Sequence, residues 1–204
     1  ERTSGPNYGE WIASDDWVAD ALSRPFVAEP GGRMLYSTGS FHVLGAALAE
    51  ASGRDLLSLT RAWLGDPLDI RVPPWTRDPQ GYYMGGNQMA LTPQAMLKIG
   101  ELVRRRGRWQ GRQVLPADWI DACLTPVTRS PYSGLGYGYG WFTTRTPAGR
   151  LALARGYGGQ IIAVAPEAEI TVAITSDPTQ PARSGGYFGS LMQLITDKVL
   201  RAAV

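Results

Sequence analysis

Cysteine and histidine are nearly absent from this sequence, in which Cys123 and His42 are the only examples. A single cysteine excludes a disulfide within the chain and gives no indication of the redox compartment. One histidine and one cysteine cannot supply the three or four protein ligands of a zinc site, so we predict no metal. A Gly-x-Ser-x-Gly turn is also lacking, which argues against a Ser-His-Asp hydrolase and predicts that His42 is a surface or boundary residue of its helix.

Long apolar runs and a strong net charge are lacking as well. No run approaches the roughly 20 apolar residues that span a bilayer, and the first residues carry no signal-peptide core. The formal net charge is only +2, and the basic residues are scattered apart from the run at 104–106, so no nucleic-acid partner is predicted. The glycines at 134–138 precede a predicted strand and not a helix, which argues against a nucleotide site, and we expect no cofactor. The cell compartment is not predicted.

What is present is enough apolar sequence for a folded core: 44% of the 204 residues are hydrophobic. Helices are predicted where apolar residues recur at helical spacing between capping residues. Ser40 is the predicted N-cap of a helix that stops at Gly53, and Thr92-Pro93 begins a helix that stops at Gly107. Shorter helices are predicted over 17–22, 55–64, 116–124 and 189–203.

The pattern changes near residue 131, where short β-prone runs alternate with Gly and Pro turns. Strands are predicted over 137–144, 151–154, 160–165 and 170–176. Their short connections predict an antiparallel meander, and the last two strands are expected to be central because they are apolar on both sides. The predicted fold class is α+β, an antiparallel β-sheet flanked by helices plus a helical lobe. The mainly helical part covers about 33–130, and the strands with the last helix cover about 131–204.

A tyrosine stands in a glycine-marked turn directly before the helix near Ser40, in the sequence PGGRMLYSTGSFHVLG at 30–45. This segment resembles the Tyr-x-Asn segment of class C β-lactamases and of related D-amino-acid peptidases, esterases and 6-aminohexanoate-dimer hydrolases. In that family the tyrosine phenolate, held near a lysine, exchanges a proton with the nucleophilic serine and the leaving group. The resemblance implies this catalytic role for Tyr36. Thr38 stands where asparagine is usual, so it keeps one hydrogen bond to a lysine or substrate and lacks the amide. The alternative is that Tyr36 is a structural tyrosine of a buried turn.

A second resemblance lies in ARGYGGQIIAVAPE at 154–167. It resembles the family's Lys-Thr-Gly or His-Thr-Gly strand with its Pro-Glu hairpin. The alignment implies that Tyr157 supplies a backbone N–H to the oxyanion hole, with Arg155 near the motif's threonine and Gly156 on its glycine. Glycine suits this place because acyl transfer needs a backbone donor close to the developing oxyanion. A glycine-rich hairpin without a substrate is the alternative. The implied substrate-binding residues are Arg155, Gly156, Gly158 and Gly159.

Further stretches, at 91–120 and 136–141, follow the order of landmarks in the same family, so the resemblance spans nearly the whole chain. The family's Ser-x-x-Lys nucleophile motif is absent: Ala95 stands three residues before Lys98, and Ile195 three residues before Lys198. In relatives the motif lies upstream, so we expect an N-terminal part of the same β-lactamase/transpeptidase-like fold to supply the serine, a helix and two strands beside the last strand. An open apolar edge would favour a homodimer.

The resemblance implies a β-lactamase-related serine hydrolase that acts on a small ester, amide or peptide-like substrate through an acyl-enzyme. These 204 residues alone are expected to be inactive. The alternative is a penicillin-binding-like module that holds a peptide or acyl ligand without cleaving it. The sequence leaves open whether the substrate is a linear amide, an ester, a D-amino-acid peptide or a β-lactam.

Overall fold

The computed structural model describes residues 7–177 and 186–203. The chain divides into two compact units, Glu1–Leu91 and Thr92–Val204. Within the described residues, no helix combines the length and the apolar character needed to cross a membrane. Each unit carries its own part of the predicted site residues.

The first unit is built from helices and irregular chain. Its longest helix is α3, which begins at Thr38 and ends at Ser52. The other helical segments are α1 (Tyr8–Ile12), α2 (Trp17–Ser23), α4 (Leu56–Thr60), a π-helical turn (Arg61–Gly65) and α5 (Asp66–Leu68).

Helix α3 confirms the predicted helix and corrects its cap. Ser37, not Ser40, is the N-cap: its side-chain oxygen accepts from the Ser40 amide at 3.1 Å. An N-cap oxygen reaches an amide of the first turn, so Ser40 is the residue that is capped. Gly53 ends the helix as predicted, in the left-handed conformation with φ of 64°.

The buried face of α3 is made of small and polar residues. Leu44 and Leu48, two of the apolar residues whose helical spacing predicts this helix, are 54% and 40% exposed. The spacing therefore predicted the helix correctly but does not mark its buried face. The buried residues of α3 are Thr38, Gly39, His42, Gly45 and Ala46.

The helix predicted over 55–64 continues to Leu68 and does not end before Pro67. The chain passes from α4 through a π-helical turn, which places Pro67 in the first turn of α5. Proline is tolerated in a first turn because the amide it lacks would have no partner there.

Among the described residues, the second unit contains three α-helices and all the strands. Thr92 caps α6 through its side chain, as predicted, and the predicted helices at 116–124 and 189–203 are confirmed with shifts of a residue or two. The helical segments are α6 (Pro93–Arg104), α7 (Ala117–Leu124), α8 (Tyr187–Gln193), a π-helical segment (Leu194–Leu200) and a final 3₁₀ turn (Arg201–Ala203).

Among the described residues, the strands are β1 (Arg108–Trp109), β2 (Arg112–Gln113), β3 (Thr128–Arg129), β4 (Gly136–Tyr137), β5 (Phe142–Thr146), β6 (Gly149–Arg155), β7 (Ile161–Ala165) and β8 (Ile170–Ile174). Six of them form a sheet in the order β3-β4-β5-β6-β7-β8, which confirms the antiparallel meander. A separate two-stranded hairpin, β1-β2, was not predicted.

The single strand predicted over 137–144 is wrong, because the chain leaves the ladder between β4 and β5. Gly138 lies so close to α7 that a Cβ on it would be 2.1 Å from the carbonyl oxygen of Cys123. Gly140 follows with φ of 83°, a conformation that favours glycine.

The core of this unit lies between the sheet and α6. All five residues of β7 are buried, which confirms it as a central strand. Strand β8 is half-buried along its length and pairs only with β7 among the described strands, so the prediction that it is central does not hold for the described sheet. Helix α6 contacts both β7 and β8. The molecule is thus α+β, with an antiparallel sheet covered by helices.

Candidate active site

Tyr36 lies in the turn that leads into α3, with its ring 37% exposed. The ring centroid is 6.1 Å from that of Phe41, one turn into the helix. Ser37 follows as the buried N-cap of α3 and accepts from both the amide and the hydroxyl of Ser40, at 3.1 and 2.9 Å. Tyr36 is therefore held beside a well-capped helix start while part of its ring remains accessible to solvent.

Thr38 is the first residue of α3 and is only 6% exposed. A Cβ on Gly86 would lie 2.5 Å from both Cγ2 and the carbonyl oxygen of Thr38. The threonine methyl therefore packs directly against the backbone of Gly86, which has no side chain. The role of Thr38 in binding a lysine or a substrate stays a prediction.

His42 is fully buried, so the prediction of a surface or boundary histidine is wrong. Its Nε2 lies 2.9 Å from Oδ2 of Asp78, whose side chain is also fully buried. Burial of a polar ring is favourable only where its nitrogens find partners, and the partner here lies 36 residues away in sequence. Local periodicity carries no signal for such a pair.

A second tyrosine near Asp78 is unsuited to act as a base. The hydroxyl of Tyr82 donates to the Glu50 carboxylate, and this hydrogen bond to the acidic partner raises the pKa of Tyr82. A phenol with a raised pKa gives up its proton less readily at neutral pH. Of these two tyrosines, Tyr36 is the better candidate.

The other predicted site residues occupy the β6–β7 turn of the second unit. Arg155 ends β6, and its guanidinium carbon lies 4.0 Å from the ring centroid of Phe142 and 4.2 Å from that of Phe188. Cation–π contacts with these two rings orient the arginine. The part of Arg155 in substrate binding stays a prediction.

The glycines of the turn have local structural reasons of their own. The Gly156 amide donates to the carbonyl of Gln160 at 2.8 Å, closing the hairpin. Gly159 has φ of 82°, and a Cβ there would meet Tyr187 at 2.7 Å. A Cβ on Gly156 would lie 2.8 Å from Oε1 of Gln160, so both positions have a local reason to be glycine without a ligand. Gly158, between them, is buried. Substrate binding by these three glycines stays a prediction.

Tyr157 lies at the outer tip of this turn, and its side chain is 71% exposed. Its backbone amide donates to no acceptor in the part of the chain that the structure describes. Such an amide, on an exposed residue of a turn closed by the Gly156–Gln160 hydrogen bond, can donate to an anionic oxygen without first breaking a hydrogen bond to a described residue. The arrangement suits the predicted oxyanion role, which the structure does not test.

The profile of the family described as Beta-lactamase matches residues 2–194. The chain belongs to the β-lactamase family. Proteins of this fold include hydrolases of several kinds. The match therefore assigns the chain to a hydrolase family with the β-lactamase fold. A comparison with curated proteins finds no match.

Solved structures of the same fold come from bacteria and fungi. A proposed 6-aminohexanoate-dimer hydrolase from Bacillus anthracis superposes with a TM-score of 0.78 at 17% identity, covering 89% of this chain and 47% of that chain. EstCE1, a hydrolase with promiscuous acyltransferase activity, gives 0.66 at 20% identity, covering 89% and 58%. The simvastatin synthase LovD from Aspergillus terreus gives 0.70 at 14% identity, covering 99% and 65%. The chain thus spans about half to two thirds of the length of these β-lactamase-fold proteins.

Sequence reasoning missed three residues that contact the first turns of α3: Asp78, Gly85 and Gly86. The segment from Trp75 to Ala90 reads as irregular chain rich in proline and glycine. The one available signal is Asp78-Pro79-Gln80-Gly81, a turn sequence, and the Gly81 amide does bond the Asp78 carbonyl at 3.1 Å. A turn signal does not reveal which helix the turn packs against.

Proposed function

We propose that this chain is part of a serine hydrolase that cleaves an ester or amide through an acyl-enzyme, with Tyr36 as general base and acid. The observation that carries the proposal is the partly exposed tyrosine at the start of α3 within a β-lactamase-family match to residues 2–194. Comparison proteins described as a 6-aminohexanoate-dimer hydrolase and as a hydrolase with promiscuous acyltransferase activity support the substrate class.

In the proposed reaction Tyr36 takes the proton of a serine hydroxyl as the serine oxygen bonds to the substrate carbonyl carbon. It returns that proton to the leaving alcohol or amine as the carbon–oxygen or carbon–nitrogen bond breaks. In the second half of the reaction Tyr36 takes a proton from the water that attacks the acyl-enzyme, and it returns this proton to the serine oxygen as the acyl group leaves. The Tyr157 N–H stabilises the oxyanion at each tetrahedral stage.

Ser-x-x-Lys does not occur in this chain, so the proposal places the nucleophilic serine in a part of the protein outside these 204 residues. The chain alone is therefore expected not to hydrolyse p-nitrophenyl esters. A fluorophosphonate adduct on a serine of these residues, with turnover by the isolated chain, would contradict this placement.

The decisive test uses the full-length natural protein, a fluorophosphonate probe and a p-nitrophenyl ester. Tyr36→Phe should lower kcat/KM by about 10²- to 10⁴-fold, the usual contribution of general acid–base catalysis. Tyr139→Phe is the matched control, because Tyr139 is 55% exposed and a phenylalanine can keep its stacking on Trp119. An unchanged rate in Tyr36→Phe, or equal losses in both variants, would refute the role of Tyr36.

A second candidate function is a penicillin-binding-like module that holds an acyl or peptide ligand without cleaving it. Thr38 in the usual asparagine position and the lack of Ser-x-x-Lys in this chain favour it. A full-length protein that binds such a ligand in calorimetry but never labels with the fluorophosphonate would support this module over the enzyme.

We further propose that an upstream part of the same fold completes the structure. Leu44 and Leu48 of α3 are exposed, and β8 has an unpaired side among the described strands. Apolar surface and open strand edges are normally covered in a stable protein. Sedimentation should show the isolated chain as a homodimer or larger species and the full-length protein as a monomer; a monodisperse monomer of the isolated chain would contradict the proposal.

A further inference from the structure

The imidazole of His42 makes two hydrogen bonds that fix its tautomer. Its Nδ1 lies 3.3 Å from the amide nitrogen of Gly85, which can only donate, so Nδ1 is the acceptor. The ring proton is therefore on Nε2, which donates to Oδ2 of Asp78 at 2.9 Å. The other carboxylate oxygen accepts from the Tyr82 amide at 2.8 Å. His42 thus ties α3 to two points of the segment 78–85.

This segment approaches the start of α3 more closely than any side chain would allow. A Cβ on Gly85 would lie 2.4 Å from the carbonyl oxygen of Phe41 and 3.1 Å from Cα of His42. A Cβ on Gly86 would lie 2.5 Å from Thr38, as described above. Real Cβ atoms do not tolerate such distances, so two successive glycines lie directly on the first turns of the helix. We call this pair, Gly85 and Gly86, the glycine clamp.

Two tryptophans enclose the imidazole without competing for its nitrogens. The rings of Trp11 and Trp17 lie 5.7 and 5.6 Å from the imidazole centroid in edge geometry. Their indole N–H groups donate to the carbonyls of Trp17 and Ile12. In such buried surroundings a ring nitrogen without a hydrogen-bond partner carries a large free-energy cost. Both hydrogen bonds of the imidazole are therefore strongly favoured.

We infer that His42 is a positioning residue for Tyr36, a role that rests on the proposed function of that tyrosine. The path is short: the His42 ring holds Gly85, the glycine clamp lies on Thr38, and Thr38 is two residues from Tyr36 in the capped turn. The position of the first turn of α3 sets the position of the Tyr36 backbone, from which the phenol extends. Catalysis by proton transfer is sensitive to displacements of about 1 Å, which can cost about 10²-fold in rate.

Two variants separate the two hydrogen bonds of the ring. In His42→Asn the side-chain oxygen occupies the place of Nδ1, so it can accept from Gly85 while the bond to Asp78 is lost. In His42→Gln the side-chain amide occupies the place of Nε2, so it can donate to Asp78 while Gly85 loses its acceptor. Both variants remove one buried hydrogen bond, so a merely structural role of His42 predicts similar losses of activity in the two.

The assay is p-nitrophenyl ester hydrolysis by the full-length protein, with folding checked by circular dichroism. Positioning through Gly85 predicts that His42→Gln lowers kcat by about 10- to 100-fold with little change in KM. His42→Asn should retain several-fold more of the wild-type kcat. In ¹H–¹⁵N spectra the amides of residues 36–38 should shift in His42→Gln and much less in His42→Asn.

Other outcomes overturn the inference in distinguishable ways. Equal kcat values for the two variants, with Tyr36→Phe inactive, would show that His42 only stabilises the fold while the proposed function stands. An active Tyr36→Phe would remove the proposed function and the inference together. Should His42→Gln not fold, Gly86→Ala serves instead, because the added methyl meets Thr38 while the side chains of His42 and Asp78 are retained. A wild-type kcat in Gly86→Ala would also overturn the inference.

Discussion

Replacing Glu101 by glutamine should destabilise the second unit in a pH-dependent way. The carboxylate of Glu101 accepts from Arg104 through both oxygens, at 2.7 and 2.6 Å, and also bonds Arg105. It also accepts from the Thr171 hydroxyl at 3.2 Å, which links α6 to strand β8. Glutamine keeps the shape of the side chain but removes the charge that these donors share.

The pKa of the Glu101 carboxyl gives the magnitude. The hydrogen bonds from Arg104, opposed by partial burial, lower the pKa from 4.5 to about 2. At about 1.4 kcal/mol for each tenfold change in the proton equilibrium, this corresponds to about 3 kcal/mol as an upper bound. The side chain is 23% exposed, so screening by solvent reduces the expected loss to about 2 kcal/mol.

The sign of the pH effect follows from the direction of the shift. A carboxyl whose pKa is lowered by folding stabilises the native state above its unfolded pKa, and this contribution is lost as the pH falls. For Glu101 the loss should run from about pH 4.5 down to about pH 2. The wild-type and Glu101→Gln chains should therefore differ in free energy of unfolding at pH 7 and converge near pH 2.

Urea unfolding followed by circular dichroism at several pH values measures this difference. Glu169→Gln is the matched control, because Glu169 also faces Arg104, at 3.9 Å, but its side chain is 85% exposed and should contribute little. Equal stability of Glu101→Gln and wild type at pH 7 would refute the reasoning. So would a difference that stays constant from pH 7 to pH 2.

Three further predictions concern the second unit. Gly100→Ala should destabilise it by about 1–3 kcal/mol in urea unfolding, because a Cβ there would lie 2.5 Å from Cγ2 of Thr171, whereas Gly189→Ala on open helix surface should be neutral or slightly stabilising. Cys123 should react with a thiol reagent only after unfolding, because burial raises the pKa of its thiol and blocks access; rapid native labelling would contradict this. Tyr157→Pro, which removes the amide N–H, should lower kcat of the full-length protein by about 10²- to 10³-fold, and Tyr157→Ala, which keeps it, should lose much less; equal losses would argue against an oxyanion role.

The parts of the fold that the sequence predicts well are those fixed by neighbouring residues. Thr92 caps α6 because its hydroxyl meets an amide three residues ahead, and Gly53 ends α3 because the chain needs a left-handed residue there. The meander from β5 to β8 follows from short turns between β-prone runs. These elements depend on spacings of a few residues, which a single sequence displays directly.

The errors arise where a distant residue decides the local structure. Gly138 leaves the strand ladder because the carbonyl of Cys123 occupies the space beside it. Strand β8 is as apolar as a central strand, yet no described strand covers its second side. In both cases the sequence pattern is correct about the chemistry of the residues and silent about what lies next to them.

The candidate site shows the same division within a single turn. The Tyr36 turn is recognisable because its glycines, its tyrosine and the following helix are contiguous in sequence. The groups that hold the turn, the His42–Asp78 pair and the glycine clamp, lie about 40 residues apart and meet only in the folded unit. A motif therefore identifies the residue proposed to carry the chemistry, whereas the precision of its placement depends on long-range contacts that the motif does not contain. The burial of His42 could not be predicted from the spacing of residues on α3, because the group that pairs with its buried ring is Asp78 and not a neighbour on that helix.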